Sequence, residues 1–427
     1  MIPMTYAVGE RAKLLAIRTD RFKTELLAVQ FACPLEHGAQ ERSLLLELLR
    51  RGTERYPTKA QFYRRLDDLY ASSICAYNRR AGDLHLFGYV ADVLGDRFVG
   101  GESLLSQVVD MLSQLVLHPY LPNGIFHLPY VENEKLHLRD AIRARINNAR
   151  AYARARCRSL VCEGEPYALS LIGEEETVDA LEAQSLTDAW QHLISQVVPT
   201  FFYVGNSDPE RLAEQLSKAF LTVGRGIELP QTLLQMPEGP VKHAQECMPI
   251  SQGHLVMGYR TDIPLSHPLS GATVLLNEVF GGSPASKLFL NVREKHGLCY
   301  HCSSALDLYK GVCLATAGIK PEKREFAEAA MRAEMEDALC GQISDIELNA
   351  AKRSIDHAFR QMYDQPSALA NFYLTRFAVG NEDTVDMRRA CVAAVTREEL
   401  AEAASHLRES AVFFLRGTLK DDEEAAT

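Results

Sequence analysis

The sequence predicts an α+β protein with two homologous halves, each a mostly antiparallel sheet covered by helices. Strand-like segments are mixed with helical hairpins, without the strict β-α-β alternation that is typical of a parallel sheet. The order of segments in the first half returns in the second, where Gly282 takes the place that Gly52 has in the first. The ends of the halves also match, because residues 197–208 and 409–418 each read as an apolar strand that leads to a glycine.

The first half is predicted to contain a strand, a loop, two helices and two further strands. Gly52 and Thr53 separate the two helices, because glycine is unfavourable inside a helix. The predicted ranges are 24–32 for the first strand, 43–51 and 58–71 for the helices, and 72–78 and 85–91 for the later strands.

The second half repeats this order around a Gly281-Gly282 break. The predicted ranges are 254–262 for the first strand, 271–280 and 285–295 for the helices, and 298–306 and 312–319 for the later strands. A stretch rich in glycine and proline separates the halves and is typical of a linker. We therefore predict two domains, at residues 1–222 and 246–427, joined by a linker at residues 223–245.

The amino-acid composition and net charge argue against some classes of function. The chain has 427 residues, 47% of them hydrophobic and 24% charged, which is typical of globular proteins and long enough for several domains. The formal net charge of -10 argues against a general nucleic-acid or anionic-membrane binder.

The sequence also favours a cytoplasmic location. Charged residues interrupt the N-terminal stretch before a long apolar run develops, so no signal peptide is predicted. No stretch reaches the roughly 20 apolar residues that span a bilayer. The ten cysteines have irregular spacings, which indicates free thiols in a reducing compartment.

The fragment Cys33-Pro-Leu-Glu36-His37 differs by one residue from H-x-x-E-H, a zinc-peptidase signature. That signature works only on a helix, where two histidines on one face bind the ion and the glutamate activates water. Pro34 and Gly38 disfavour a helix here. We interpret the fragment as the loop between the first strand and the first helix.

The segment LLLELLRRGTERYPT, with its Gly52-Thr53 and Tyr56-Pro57 pairs, carries a family resemblance. Over nearly its whole length the chain resembles the zinc peptidases of the pitrilysin, insulinase and mitochondrial processing peptidase family. The resemblance implies a LuxS/metallohydrolase-like duplicated fold in which two peptidase-like halves form a clamshell. In that family, a helix carrying the inverted zinc motif H-x-x-E-H precedes the Gly-Thr pair.

Counting back from Gly52 places the three motif positions at Ser43, Leu46 and Glu47. Both histidines are therefore lost, and leucine stands where the resemblance puts the general base. The resemblance of the segment VENEKLHLRDAIR to the family's acidic helix places Glu134 at the distal ligand position; the alternative, which we favour, is that Glu132 and Glu134 lie on a solvated helix face. Because a zinc site usually needs three protein ligands, we expect no metal here and no cofactor in this chain, with zinc only in a partner subunit.

The segment KLFLNVREKHGLCY matches the family's second signature, an arginine and a tyrosine seven residues apart. Arg293 is predicted in the last turn of a helix, Gly297 in its left-handed cap, and Tyr300 in the strand that follows. The resemblance implies that this pair binds substrate and stabilises an oxyanion opposite zinc. The alternative is that Arg293 pairs with a nearby carboxylate and Tyr300 packs in the sheet.

Two other patterns have simpler explanations. Cys299 and Cys302 form a lone C-x-x-C, and in a regular strand they would point to opposite faces, which argues against a metal or redox role. A predicted helix at residues 139–158 is rich in arginine. It indicates either a site for an acidic ligand, such as a peptide chamber, or a basic face matched by carboxylates elsewhere.

Some members of this family act as heterodimers in which one subunit carries the zinc motif and the other lacks it. The resemblance implies that this chain is such a non-catalytic subunit, which encloses a peptide substrate and supplies Arg293 and Tyr300 to a partner's zinc site. The partner is then a homologous subunit with an intact H-x-x-E-H motif, or a second copy of this chain.

The alternative is a pseudoenzyme scaffold or peptide-binding protein with no proteolytic role. A self-sufficient peptidase is disfavoured because the general base is missing. On the stretches RRGTERYPT and LDDLYAS, the chain particularly resembles bacterial members without the metal motif, associated with aminopentanol modification of elongation factor P.

Overall fold

The computed structural model describes residues 1–100, 103–221 and 224–419. The strands are β1 (Met4–Val8), β2 (Ala12–Arg18), β3 (Thr24–Pro34), β4 (Ser73–Ala81), β5 (Leu84–Leu94), β6 (Thr200–Gly205), β7 (Lys242–Met248), β8 (Gly253–Thr261), β9 (Cys299–Asp307), β10 (Val312–Ile319) and β11 (Leu407–Gly417).

The α-helices are α1 (Ala39–Leu49), α2 (Lys59–Asp68), α3 (Leu104–Leu117), α4 (Leu128–Arg143), α5 (Ala149–Val161), α6 (Ala183–Gln196), α7 (Pro209–Ala219), α8 (Ser270–Asn277), α9 (Arg324–Leu339), α10 (Asp345–Met362), α11 (Pro366–Ala378), α12 (Val385–Ala394) and α13 (Arg397–Ser405). Two π-helical segments, Glu278–Gly282 and Leu288–Lys295, follow α8.

The strands form two sheets with the same topology, which confirms the predicted α+β class. The first sheet has the order β1-β2-β6-β3-β5-β4 and the second β7-β11-β8-β10-β9. Without β1 the two orders correspond strand for strand. In each, one pair is parallel, β2 with β6 and β7 with β11, and the other pairs are antiparallel.

The described chain divides into two compact units that differ from the sequence halves by one segment each. Unit 1 contains residues 1–143, 169–231 and 362–382, and unit 2 contains residues 144–168, 232–361 and 383–427. Helix α11, from the second half, therefore belongs to unit 1, and α5, from the first half, belongs to unit 2. The predicted boundaries at residues 222 and 223 lie outside the described residues, and the division into 1–222 and 246–427 stays a prediction.

In unit 1, helices cover both faces of the sheet. Leu27, Val29 and Phe31 of β3 belong to the core that includes α1 and α3. On the other face, Gln30 is 1% exposed, and its Nε2 donates to the carbonyl of Leu374 in α11 at 3.0 Å. A strand buried on both faces needs an almost continuous apolar run, which explains the sequence TELLAVQFACP.

In unit 2, α5 packs closely on the sheet. An added Cβ at Gly258 of β8 would meet Val161 Cγ2 of α5 at 2.3 Å, so glycine permits the close approach. Just after α5, the buried Glu165 carboxylate binds Arg260 Nη1 and Lys310 Nζ, each at 2.8 Å. Because one carboxylate is shared by two buried cations, one from β8 and one from the turn between β9 and β10, it fixes the end of the α5 segment in unit 2.

The Gly-Thr and Tyr-Pro pairs form a tight loop between α1 and α2. Thr53 N–H donates to Tyr56 O at 2.9 Å, and an added Cβ at Gly52 would lie 2.2 Å from Pro57 O. Thr58 then caps α2 in a reciprocal capping box with Gln61. Glycine is required at position 52 because the backbone of the loop returns against it.

Three predicted helices need correction. Helix α1 begins at Ala39 rather than residue 43, although Glu36 and His37 still precede it as predicted. The helix of residues 271–280 does not break at Gly281-Gly282 but continues through both as a π-helical turn. The arginine-rich segment is not one helix, because a 3₁₀ turn at Ala144–Asn147 separates α4 from α5.

Candidate functional site

Helix α1 presents the degenerate motif to a cavity of about 420 Å³ within unit 1. Ser43, Leu46 and Glu47 lie three and four residues apart, so they share one face of the helix. Glu134 reaches the same cavity from α4. The cavity is lined by Ser43, Leu44, Leu46, Glu47, Arg51, Lys59, Ala76, Tyr77, Asn78, Glu134, His137, Leu138, Ala141 and Ile172. The structure thus brings together all four positions that the sequence assigned to the lost zinc motif.

Ser43 is held by hydrogen bonds in three directions. Its Oγ contacts the carbonyl oxygens of Ala39 at 2.8 Å and Leu171 at 2.7 Å, and accepts from Asn78 Nδ2 at 2.6 Å. With a single hydroxyl proton, Ser43 donates to one carbonyl at a time. The hydroxyl is therefore a structural link between α1, β4 and the segment after α5.

Behind Asn78 lies His85, which is fully buried on β5. Its Nδ1 accepts from Arg42 Nε at 3.1 Å, so the proton is on Nε2, which donates to Asn78 Oδ1 at 2.5 Å. This contact orients the amide so that its nitrogen faces Ser43. Burial, with the charges of Arg42 and Arg80, lowers the pKa of His85 to about 3, so the imidazole is neutral.

The retained carboxylate, that of Glu134, forms an ion pair with an arginine. Arg51 Nε forms an ion pair with Glu134 Oε1, and the side chains are 16% and 8% exposed. The expectation that Glu134 lies on a solvated helix face is therefore wrong, because α4 packs on α1 at this residue. Arg51 lies in the turn just after α1, one residue beyond its C-cap Arg50, on the side of the helix end that faces the cavity. The guanidinium of Arg51 neutralises the Glu134 carboxylate, which a metal ion would otherwise do.

Glu47 has its own partner. Its Oε2 pairs with Arg50 Nη1 at 2.7 Å, and Arg50 also donates to the Tyr63 hydroxyl. Leu46, at the position of the general base, has a side chain of carbon atoms only. Its backbone carbonyl accepts a hydrogen bond from the Tyr89 hydroxyl at 2.7 Å. Of the three motif positions, Ser43 is hydrogen-bonded, Leu46 has no titratable group, and Glu47 is paired with Arg50.

These donors do not fit a zinc ion. A zinc site needs three or four nitrogen, sulfur or oxygen ligands around one point. Here Ser43 is committed to hydrogen bonds, and the two carboxylates are neutralised by Arg50 and Arg51. Across residues 1–100, 103–221 and 224–419, no three His, Cys, Asp or Glu side chains form a group that could hold a metal ion.

The second predicted pair lies in unit 2. Arg293 is in the π-helical segment Leu288–Lys295, and Gly297 follows in a left-handed conformation with φ of +58°. Gly297 N–H donates to the Arg293 carbonyl at 3.1 Å, and Leu298 N–H to that of Val292 at 3.2 Å. The predicted turn from helix to strand is therefore confirmed, with π-helical rather than α-helical geometry.

The side chains of this pair are accessible. The Arg293 guanidinium lies 4.5 Å from the centroid of the Phe289 ring and has a loose contact of 3.6 Å with Glu294. Tyr300 is 63% exposed, so the part of the alternative in which it packs in the sheet is wrong. The other part holds, because Arg293 pairs with the nearby carboxylate of Glu294. Both side chains are accessible to a ligand.

A β-bulge explains why Tyr300 is exposed, and it corrects the prediction for the neighbouring cysteines. On β10, Ala317 pairs with Cys302 and Ile319 with Cys299, so Tyr300 is the extra residue that has no partner in the register. Because Ala317 and Ile319 lie on one face, Cys299 and Cys302 also share a face. The prediction that they point to opposite faces is wrong, because it assumed a regular strand.

Sequence reasoning missed the residues that close the first site. Arg51, Asn78 and His85 were not singled out, although a signal for Arg51 was present in its four-residue spacing from Glu47. No such signal exists for Asn78 and His85, because the contact of His85 with Asn78, and through it with Ser43, depends on the pairing of β4 with β5.

The fold and this site define a class of protein: a zinc-peptidase-like chain in which the metal site is replaced by hydrogen bonds and ion pairs. A family model described as "Peptidase M16 inactive domain" matches residues 180–355. A protein of Bacillus subtilis described as "Probable inactive metalloprotease YmfF" is 28% identical over 94% of this chain and 95% of its own length.

Two solved structures have the same fold as this chain. A conserved protein from Enterococcus faecalis has a TM-score of 0.90 and 25% identity, covering 99% of this chain and 100% of the other. The peptidase M16 inactive domain from Pseudomonas fluorescens has a TM-score of 0.80 and 16% identity, covering 98% and 99%. The predicted recognition is thus confirmed: residues 180–355 match the peptidase M16 inactive domain, and over most of its length the chain is similar to a probable inactive metalloprotease. The elongation factor P subgroup stays a prediction.

No helix in the described part of the chain combines the length and the apolar character that crossing a bilayer requires.

Proposed function

We propose that this chain is the non-catalytic, peptide-binding subunit of a heterodimeric zinc endopeptidase of the processing-peptidase type. The observation that supports this proposal is a contrast within one cavity. Paired side chains fill the catalytic position, whereas the strand beside it lies at the edge of its sheet. At the first, Arg51 neutralises Glu134 and leucine replaces the general base. At the second, β4 is the last strand of its sheet and lines the same cavity with Ala76, Tyr77 and Asn78.

An edge strand offers a row of backbone N–H and C=O groups to an extended peptide. Binding in this mode needs no metal and depends little on the peptide sequence. It therefore suits a subunit that binds unfolded segments. In unit 2 the corresponding edge strand is β9, which carries Tyr300. We propose that Arg293 and Tyr300 are substrate contacts supplied to the zinc site of a homologous partner with an intact H-x-x-E-H motif.

Hydrogen exchange tests the peptide-binding part. An unstructured peptide added to the isolated chain should protect backbone amides of β4. The matched control is β1, the opposite edge of the same sheet, where protection should not change. Equal protection of both edges, or of neither, would overturn specific binding at β4.

Reconstitution tests the role in proteolysis. The chain is mixed with a homologue that carries the intact motif, and cleavage of an internally quenched flexible peptide is measured. We expect activity that neither protein shows alone and that falls in Arg293→Ala and Tyr300→Phe variants. Unchanged activity in both variants would disprove the contribution to the partner's site.

The alternative function, a scaffold or peptide-binding protein without a proteolytic role, has a distinct outcome. It predicts protection of β4 by the peptide together with no gain in cleavage when the homologue is added. A partner that is a second copy of the chain predicts a concentration-dependent dimer in a sedimentation experiment with this protein alone.

A further inference from the structure

Two thiols that the proposed function does not use meet at the bulge of β9. Cys302 is 4% exposed and belongs to the core of unit 2, and Cys299, half-buried, packs against the same core. The bulge at Tyr300 makes them neighbours on one face, although they are three residues apart. All ten cysteines of the chain are free thiols.

The two thiols have opposite chemical character. A hydrogen bond from Cys302 lowers the pKa of the Cys299 thiol, and the Arg293 guanidinium favours the same thiolate. The same hydrogen bond and burial raise the pKa of Cys302. Cys299 is thus the more accessible and more acidic thiol, with a protonated, buried thiol beside it, which is the usual arrangement of an attacking and a resolving cysteine.

The other buried thiols of the chain differ in this respect. Burial raises the pKa of Cys33 and Cys162 to about 11, and of Cys157 and Cys313 to about 12. These thiols are therefore inert at neutral pH. Cys340 is exposed at the end of α9 and provides an internal reference for ordinary surface reactivity.

We propose that Cys299 is a thiol-modification site, that Cys302 is its resolving cysteine, and that a small-molecule disulfide converts the pair to an intrachain disulfide. In the first step the Cys299 thiolate attacks one sulfur of the oxidant, forming a mixed disulfide and releasing one thiolate. In the second step Cys302 loses its proton and attacks Cys299 Sγ, and the second oxidant thiolate leaves. The two cysteine thiols are oxidised and the oxidant is reduced to two thiols.

The modification would act on the accessible edge of unit 2. The disulfide would close a ring from Cys299 to Cys302 that contains Tyr300 and His301. Because Tyr300 is the extra residue of the bulge, this ring would fix its direction. Oxidation would therefore hold an exposed tyrosine in place, and reduction would return its conformational freedom.

Trypsin gives a direct assay. Cleavage after Lys295 and Lys310 releases the peptide 296–310, which contains Cys299 and Cys302 and no other cysteine. The reduced full-length protein is treated with oxidised glutathione, blocked with N-ethylmaleimide at low pH, digested and analysed by mass spectrometry. We expect this peptide to lose two hydrogen atoms and to carry neither glutathione nor maleimide.

Single variants separate the two roles. Cys302→Ser should accumulate glutathione on Cys299, and Cys299→Ser should leave Cys302 unmodified. In the native chain the intrachain disulfide should form before Cys340 reacts, and this preference should disappear in urea. Two maleimide groups on peptide 296–310 after Cys340 has become glutathionylated would overturn the proposal, as would a mixed disulfide on Cys299 that persists in the native chain.

Discussion

Replacing Arg51 tests whether an ion pair occupies the lost metal position. Arg51→Met keeps most of the volume of the side chain but leaves the Glu134 carboxylate without its cation. The Glu134 side chain is only 8% exposed, so water cannot replace the lost partner. Breaking a buried pair in this way costs about 3–5 kcal/mol. We expect about 3 kcal/mol, the lower end, because the Arg51 side chain is 16% exposed.

The sole tryptophan gives a readout confined to unit 1. Trp190 is buried in α6, and its indole N–H donates to the carbonyl of Val116 at 2.8 Å. Its fluorescence during urea unfolding therefore reports the free energy of unfolding of the unit that contains Arg51. The matched control is Arg55→Met, since Arg55 pairs with Asp110 at the surface and should contribute at most about 1 kcal/mol.

A double variant separates charge burial from packing. Arg51→Met combined with Glu134→Leu removes both charges from a cavity that already contains Leu46, Leu138 and Ile172. Because paired buried charges often add little over apolar replacements, we expect stability within about 1 kcal/mol of the unmodified protein. If Arg51→Met alone matches the Arg55→Met control, the ion pair does not neutralise a buried carboxylate and the reasoning is wrong.

Two further predictions concern the surroundings of the site. His85 has its pKa lowered to about 3, so between pH 6.5 and 3 the unfolded chain binds the extra proton. The contribution of neutral His85 to the free energy of unfolding is complete above pH 6.5. It is lost as the pH falls, by at most about 1.4 kcal/mol per pH unit. Unfolding followed by Trp190 fluorescence should therefore show a weaker pH dependence of stability in His85→Gln. Equal slopes would refute this. Gly52→Ala should lower the thermal midpoint because its Cβ would meet Pro57 O at 2.2 Å, while Gly100→Ala, in open space, should not; equal midpoints would contradict the loop geometry.

Local patterns in the sequence were sufficient for most strands of the fold and for the first helices of each half. Apolar alternation and runs indicated the strands, and glycine marked the turn after Arg293, because a left-handed residue is favourable mainly for glycine. The same local information predicted the loop at Glu36 and the loss of the zinc ligands. Segments whose geometry depends on packing were less well predicted, such as the helical turn that continues through Gly282.

The sequence by itself determined that this protein has two repeated α+β units and no residue to activate water at the motif position. Only the tertiary structure decided what replaces the metal, because Arg51, in the turn after α1, and Glu134, in α4, are far apart in the chain and meet only when α1 packs on α4. It also decided which unit receives α5, and that the bulge at Tyr300 turns Cys299 and Cys302 to one face. These outcomes depend on contacts between distant segments, and a local pattern of residue types does not specify such contacts.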